Sequence, residues 1–378
     1  MPDTIAPLGI RLQLLIGRPD LPLPAPYEVI DALTGLSVTN NDRSRDGFEL
    51  NFRIGRNSPT DYSLLSSGCL DVENHVIIMV FFGARPQVLI DGIITDLQLE
   101  NSGEPGRSQL IVIGEDISVK LSFEDRNETY PNQSDSTIVR RILAGANFVP
   151  QVTETRDTPN QTDRVPTQQC DDLRFIRSLA SRNGFIFYVE PTDLPGMNVA
   201  YWGPENRQTP PQPPLTINMG PSSNIFTPIN FHYNGLGPVE TEVAVLNEAS
   251  RDAQPVQPET STQRSLAEQP ARPLRRSIAR NTAHLSYTRA GQRANMAPAE
   301  AMDALEATGE MEAARYGQAL RARRLVNVCG AGSSYDGLYY VKQVKHVIRR
   351  FPSPDYKMQF TLTREGRGTT SSIIQGIS

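Results

Sequence analysis

Cysteine, histidine and tryptophan are scarce in this chain, and each shortage removes a class of function. Cys69, Cys170 and Cys329 lie far apart and form no C-x-x-C pair, so neither a zinc ribbon nor a disulfide framework is expected. Only His75, His232, His284 and His346 are available as imidazole ligands or bases. A lone tryptophan, Trp202, is a poor start for an aromatic glycan-binding face. No G-x-S-x-G elbow and no Cys-His arrangement offers an activated nucleophile. No window approaches the ~20 apolar residues of a membrane-spanning helix. A strong basic excess is missing too: the net charge is −5 and the pI near 5.6, unlike a dedicated nucleic-acid binder. The opening "MPDTIAPLGIRLQLLIGRPD" has no basic leader, and Arg11 and Gln13 interrupt its apolar run. That is a strand pattern rather than a signal peptide, and a soluble protein made in the cytoplasm is expected.

What is present is alternation. Ile10, Leu12, Leu14 and Ile16, and again Phe48, Leu50, Phe52 and Ile54, are separated by polar residues, as in strands with one buried face. "HVIIMVFFG" (75–83) is apolar on both faces and reads as a central strand. Turn clusters such as "NNDRSRDG" and "ENSGEPGRS" separate these runs. Residues 1–123 are therefore expected to form an antiparallel β-barrel or sandwich. From about Tyr130 the period changes. Ser134 and Asp135 precede a helical stripe of Ile138, Val139, Ile142 and Leu143; Asp171 and Asp172 precede a second one of Leu173, Ile176, Leu179 and Ala180, closed by Asn183-Gly184. With the strands "FIFYVEP" and "MNVAYWGP", residues 124–205 read as a small α+β insert.

The Pro-rich "PENRQTPPQPP" is a linker. Strand patterns return over 206–250 and 326–368, separated by a 251–325 excursion. Its first part, to about Met296, reads as a long Pro/Arg-rich loop. Its second part reads as a helix, with Pro298 in the first turn and Met302, Leu305, Tyr316 and Leu320 in register. A tail, 369–378, follows. Two stretches, "DGIITDLQLENSGEPGRSQLIVIGED" from Asp91 and "DGLYYVKQVKHVIRRFPSPDYKMQFTLTREG" from Asp336, share a hairpin outline, which points to duplication of a β module.

No constellation of catalytic, cofactor-binding or metal-ligating residues emerges. Asp42, Ser44, Asp46 and Gly47 sit at calcium-loop offsets, but the position that needs a bidentate Glu is Arg53, so a hairpin turn is expected. "GAGSSYDG" (330–337) matches no phosphate-binding fingerprint and reads as a connection between strands. Asp171-Asp172 and Glu115-Asp116 are sequence neighbours whose side chains diverge; a helix start and a strand end account for them. His346 alternates with Val344 and Val347 and reads as a structural or surface residue. Arg272, Arg275, Arg276, Arg280, Arg289 and Arg293 carry charge without a nearby acid. They fit a partner-docking loop, a solvated loop or a nucleic-acid contact, although Tyr287 alone cannot supply a stacking platform.

Four stretches carry a family resemblance. "VLIDGIITD" (88–96), "GEDISVKL" followed by "YPNQSDSTIVRRIL", "QQCDDLRFIRSLASRNGFIFYV" and "GLYYVKQVKHVIRR…YKMQFTLTRE" together resemble the late control D family. These are the tail baseplate hubs of contractile phages, whose module also forms the N-terminal part of VgrG spike proteins. The resemblance implies a mainly β fold: two tube-protein-like β-barrels per chain plus a small α+β domain. It also implies a structural homotrimer, not an enzyme, that adapts the hexameric inner tube or tube-initiator proteins to a separate trimeric spike. Baseplate wedge proteins and the tape-measure protein are further implied partners. No cofactor, small-molecule substrate or membrane insertion is implied, and the protein would reside in a phage-tail-like particle. The rival readings are a tail-associated cell-wall hydrolase and a monomeric β-rich glycan-binding module.

Overall fold

The computed structural model describes residues 3–5, 9–18, 21–55, 62–102, 104, 107–155, 157–159, 165–246, 253–256, 264–278 and 303–370. The N-terminal unit starts with β1 (Asp3–Ile5), β2 (Ile10–Arg18) and β3 (Leu21–Pro24). A short helix, α1 (Tyr27–Ala32), leads into β4 (Leu33–Asn41) and β5 (Gly47–Ile54). After one helical turn, α2 (Ser63–Ser66), come β6 (His75–Phe82), β7 (Arg85–Glu100) and β8 (Ser108–Asp116). The alternation places side chains as expected: Ile10, Leu12, Leu14 and Ile16 of β2 and the apolar set of β5 are buried, while the residues between them face outward. β6 is buried on both faces, with Val76, Ile78 and Val80 toward the main core and Ile77 and Met79 packed with Val88 behind it. In space the strands run β2-β6-β7-β8-β5-β4, every neighbour antiparallel.

The insert holds β9 (Asp125–Thr129), α3 (Asp135–Gly145), β10 (Val149–Val152), β11 (Thr167–Asp171), α4 (Asp172–Asn183), β12 (Ile186–Pro191) and β13 (Asn198–Gly203). Ser134 caps α3 by accepting from the Thr137 N–H, and Asp171 caps α4 by accepting from the Arg174 N–H at 2.8 Å. Gly184, at φ +67°, ends α4 in the left-handed conformation. Both helical stripes pack with Trp202 into a second core. The β9–β11 ribbon has no counterpart in the sequence reading, because "DRNET" and "TQQCD" show no apolar alternation.

The C-terminal unit contains β14 (Gln212–Thr216), β15 (Asn230–Tyr233), β16 (Val239–Leu246), β17 (Ala253–Val256), β18 (Ala267–Pro270), β19 (Arg275–Ile278) and β20 (Leu305–Glu312). After a helical turn, α5 (Ala313–Tyr316), it ends with β21 (Leu325–Cys329), β22 (Gly337–Arg349), β23 (Asp355–Arg364) and β24 (Gly366–Thr369). This corrects the expected helix. Leu305 to Glu312 form a strand that pairs with both β23 and β15. Leu305, Ala307 and Met311 point inward with period two, and a Cβ on Gly309 would lie 2.6 Å from the Phe360 ring. Tertiary pairing overrides the helix-favouring composition here. Pro298 and Met302 lie outside the described residues. The excursion is likewise no plain loop: β18 pairs with β24, and β19 with β16.

Taken in chain order, the strands β2, β4, β5, β6, β7, β8 and β14, β15, β20, β21, β22, β23 adopt one topology. The second unit runs β14-β21-β22-β23-β20-β15, the same permutation as the first. One strand breaks the match: β14 lies parallel to β21, whereas β2 is antiparallel to β6. The duplicated hairpins are β7–β8 and β22–β23. Each has a register shift at the same place, between Ile94 and Asp96 in β7 and between Val341 and Gln343 in β22. Superposing these bulges equates Asp96 with Gln343 and Asp91 with Leu338. The two Asp-Gly pairs are therefore not equivalent. Gly92 lies inside β7, where a Cβ would meet the Glu115 carbonyl oxygen at 2.2 Å. Gly337 begins β22 at φ +127°.

The units do not stand apart. Gly35–Asn41 of β4 pair antiparallel with Gln343–Arg349 of β22, which joins both into one 14-stranded sheet. A single hydrophobic core, from Ile10 through Phe52 to Leu362, runs across the join. Gly114 of β8 shows how closely it is packed: a Cβ there would lie 2.1 Å from the Phe48 ring and 2.4 Å from the Ile93 carbonyl oxygen. Gly114→Ala should therefore cost about 1–3 kcal/mol of stability by overpacking, measurable as a lowered denaturation midpoint with an unchanged m-value.

Candidate functional site: a charged junction between the units

Arg323 stands where the three parts of the chain meet. Its backbone adopts φ +64° just before β21, and its N–H donates to the Val341 carbonyl at 2.7 Å. Its guanidinium donates to the Asn41 carbonyl (3.1 Å from Nε) and to the Asp46 carboxylate, both in the N-terminal unit. It also lies 4.2 Å over the ring of Tyr188, in the insert. Asp46 accepts from the Asn41 N–H and from Asn40 Nδ2, each at 2.9 Å. Burial opposes the Arg323 charge, yet Asp46, with Glu190 and Tyr188, outweighs that and holds its pKa above the ordinary value. Asp116 accepts from the Asp46 N–H (3.1 Å) and the Ser118 N–H (2.8 Å), and burial with the Asp46 charge pushes it up to about 6.

A second network ties the linker to the C-terminal unit. Buried Arg207 reaches Glu205 (2.9 Å), Glu365 (3.2 Å) and Asp303 (3.8 Å), and Arg43 reaches Glu205 at 3.2 Å. Glu365 also accepts from the Ser265 hydroxyl (2.6 Å) and from the backbone N–H groups of Leu266 and Ala267. Burial alone would raise the Glu365 pKa; the Ser265 hydrogen bond and Arg207 bring it below its usual value. A third tie is the buried His75–Asp91 contact, where Asn198 of the insert donates to Asp91 at 2.9 Å. Charge in these networks joins segments remote in sequence.

Structural comparison places this architecture. A tail protein from Neisseria meningitidis MC58 aligns at a TM-score of 0.60 and 15% identity, over 95% of this chain and 98% of that one. The prophage MuSo2 43 kDa tail protein from Shewanella oneidensis aligns at 0.62 and 11%, over 94% and 98%. The E. coli c3393 protein, a type VI secretion component similar in structure to the bacteriophage T4 tail proteins gp27 and gp5, aligns at 0.55 and 14%, over 91% and 77%. The chain has the phage tail-protein fold. No curated protein matches it in sequence. A family model described as the Alg8 N-terminal domain matches residues 50–199, less than half of the chain. That match begins inside β5 and ends inside β13, so it coincides with no structural unit of the tail-protein fold.

Within this tail-protein fold the residues singled out in the sequence have architectural positions. The "DRSRDG" segment is the β4–β5 turn. Its Asp46 serves the Arg323 junction, and Asp42 is buried beside Arg43. Asp171 caps α4, while Asp172 accepts from Gln168 Nε2 at 2.8 Å. "GAGSSYDG" connects β21 to β22, and Arg364 donates to the Ser334 and Asp336 carbonyls within it. His346 is fully buried in β22. Its Nδ1 lies 2.9 Å from the Tyr356 hydroxyl, and burial, aided by Arg321, pushes its pKa down to about 3. Arg276 is not without acidic neighbours: it pairs with Glu240 (3.2 Å) and Glu242 (3.6 Å) across the β16–β19 contact. Arg272 and Arg275 are exposed, and Arg280, Arg289, Arg293 and Tyr287 lie outside the described residues. Among the described residues no group of three or more His, Cys, Asp or Glu side chains is arranged to hold a metal ion. Two adjoining open clefts share Thr34, Arg53 and Phe351: one of about 900 Å³ is completed by Arg107, Gln109 and Pro352, and one of about 580 Å³ also carries the carboxylates of Glu28 and Asp31.

Two outcomes follow from these networks. Arg323→Ala strands the buried Asp46 carboxylate, and removing one partner of such a pair costs about 3–5 kcal/mol; chemical denaturation should read that loss. Asp42 is pushed from the usual 3.8 up to about 6 by burial, against the opposing pull of Arg43. An acid whose folded pKa is raised binds its proton more readily when folded, so its contribution to stability grows as pH falls from 7 toward 4. Asp42→Asn should make that part of the pH–stability curve less steep, with Asp116 supplying the remainder, and an unchanged slope would remove Asp42 as one of its sources.

Proposed function

We propose that this chain is the structural hub of a contractile tail or injection particle. The observation that carries the reading is the repeated six-strand topology fused through β4 and β22, in a fold that aligns with tail proteins over nearly their whole length. Three such chains present six related units, which suits a hexameric inner tube or its initiator proteins; three copies of the insert suit a trimeric spike carried on a separate polypeptide. Binding energy is then spread over broad interfaces rather than focused on a pocket. Wedge proteins would hold the periphery and the tape-measure protein the lumen. The chain would be made in the cytoplasm and act within the particle.

Electron microscopy and mass measurement of the purified protein test this. The expected result is a three-fold ring containing three copies, with six similar lobes on one face. A protein that stays monomeric alone and in the presence of tube and spike components would refute the hub reading.

A further inference from the structure

The β4–β5 hairpin carries the Arg323 junction at its turn and the two adjoining clefts at its other end. The clefts share a floor of Thr34, near the start of β4, and Arg53, near the end of β5. The ladders extend this floor sideways: Arg53 faces Gln109 of β8, and the Arg350 N–H, just past β22, donates to the Thr34 carbonyl at 2.8 Å. One continuous groove therefore crosses the ends of β8, β5, β4 and β22. Arg107 stands at one end of it, and α1, with Tyr27, Glu28 and Asp31, at the other. The α1 wall is held in place by the fold. Val29 is buried in the core, and the Arg350 guanidinium donates to the Ile30 carbonyl and, at 3.0 Å, to the Leu33 carbonyl at the C-terminal end of the helix.

The lining stands out for what it leaves unmatched. Tyr27 is 80% exposed and Phe351 52%, so two aromatic rings face the open groove. Arg53, Glu28 and Asp31 are exposed as well. Among the described residues none of the three forms an ion pair or a side-chain hydrogen bond, although Arg53 shares a cleft with both acids. Charges of opposite sign thus line one groove without neutralising each other. An exposed pair between them would add little to stability, and their separation leaves each free to meet a ligand of the opposite sign.

We propose that this groove binds an extended peptide segment of a partner protein. Carboxylates of the segment lie over Arg53, an apolar side chain packs against the Phe351 and Tyr27 rings, and a basic side chain meets Glu28 and Asp31. Arg107, already paired with Glu104 at 2.9 Å on the open surface, is the weaker of the two basic anchors. Exposed tyrosine and arginine are the side chains in which binding energy concentrates at protein interfaces. Two other ligand classes match the lining less well. Small molecules favour enclosing, mostly apolar pockets, and this groove is open and charged. A nucleic-acid strand would carry phosphates past Glu28 and Asp31 as well as past Arg53, and like-charge opposition selects against it. All the lining residues come from one chain, so the groove exists with or without a ring of copies.

Fluorescence anisotropy on the full chain tests this. The ligands are short labelled peptides with glutamates at one end, a central leucine and lysines at the other, made in both chain directions. Glutamate-only, lysine-only and serine-substituted versions serve as controls. A mixed-charge peptide should bind saturably and more tightly than any control. Arg53→Glu should weaken it about tenfold, through lost attraction plus new repulsion, and hand the preference to the lysine-only peptide. Glu28→Lys/Asp31→Lys should hand it to the glutamate-only peptide. Melting temperatures should stay unchanged, because all three sites are exposed and unpaired. A mixed-charge peptide that binds no better than the serine version, or a ranking that neither variant alters, would overturn the proposal. So would a single-stranded oligonucleotide that binds more tightly than every peptide and is lost with Arg53→Glu.

Discussion

Everything in the β scaffold depends on the pairing of β4 with β22. Without it the two six-strand units would each end in an exposed edge, and the core would be cut through the plane where Val38, Leu36, Val344 and Ile348 now meet. The pairing joins residues some three hundred positions apart, so a long loop must close for it to form. Around the seam the chain places its buried charges. Arg323 crosses from one unit to two backbone and side-chain acceptors on the other, and its planar face rests on Tyr188 of the insert. Hydrophobic burial supplies the stability there, and the directional bonds set the angle at which the parts meet.

Much of this was legible from residue patterns, and the reasons are local. Period-two alternation marked β2 and β5, double-sided apolarity marked β6, and Ser134, Asp171 and Gly184 announced helix ends through their own backbone contacts. Where neighbouring residues decide the outcome, the sequence speaks. β20 was misread because Leu, Glu, Ala and Met favour a helix in isolation, and only the flanking β23 and β15 make a strand of them. The polar ribbon β9–β11 carried no signal at all.

The junction itself was invisible for a related reason. Asp46 looked like part of a turn, which it is, but nothing near it in sequence names Arg323 as its partner. Glu205 and Arg207 sat in a Pro-rich stretch read as linker, whereas they anchor it to Glu365. The Asp-Gly pairs led to the right hairpins through residues that do not correspond. The true mark of the repeat is a β-bulge, which a sequence does not display.

One strand departs from the repeat: β14 runs parallel to its neighbour where β2 runs antiparallel. In an assembly of such chains, whatever the two units share contributes features that recur with every unit, and whatever they do not share recurs only once per chain. Reversal of β14, together with the insert and the β16–β19 segment, therefore writes a coarser periodicity onto a finer one. A partner that touches only the common strands would meet equivalent surfaces twice per chain, and one that touches β14 would count chains instead.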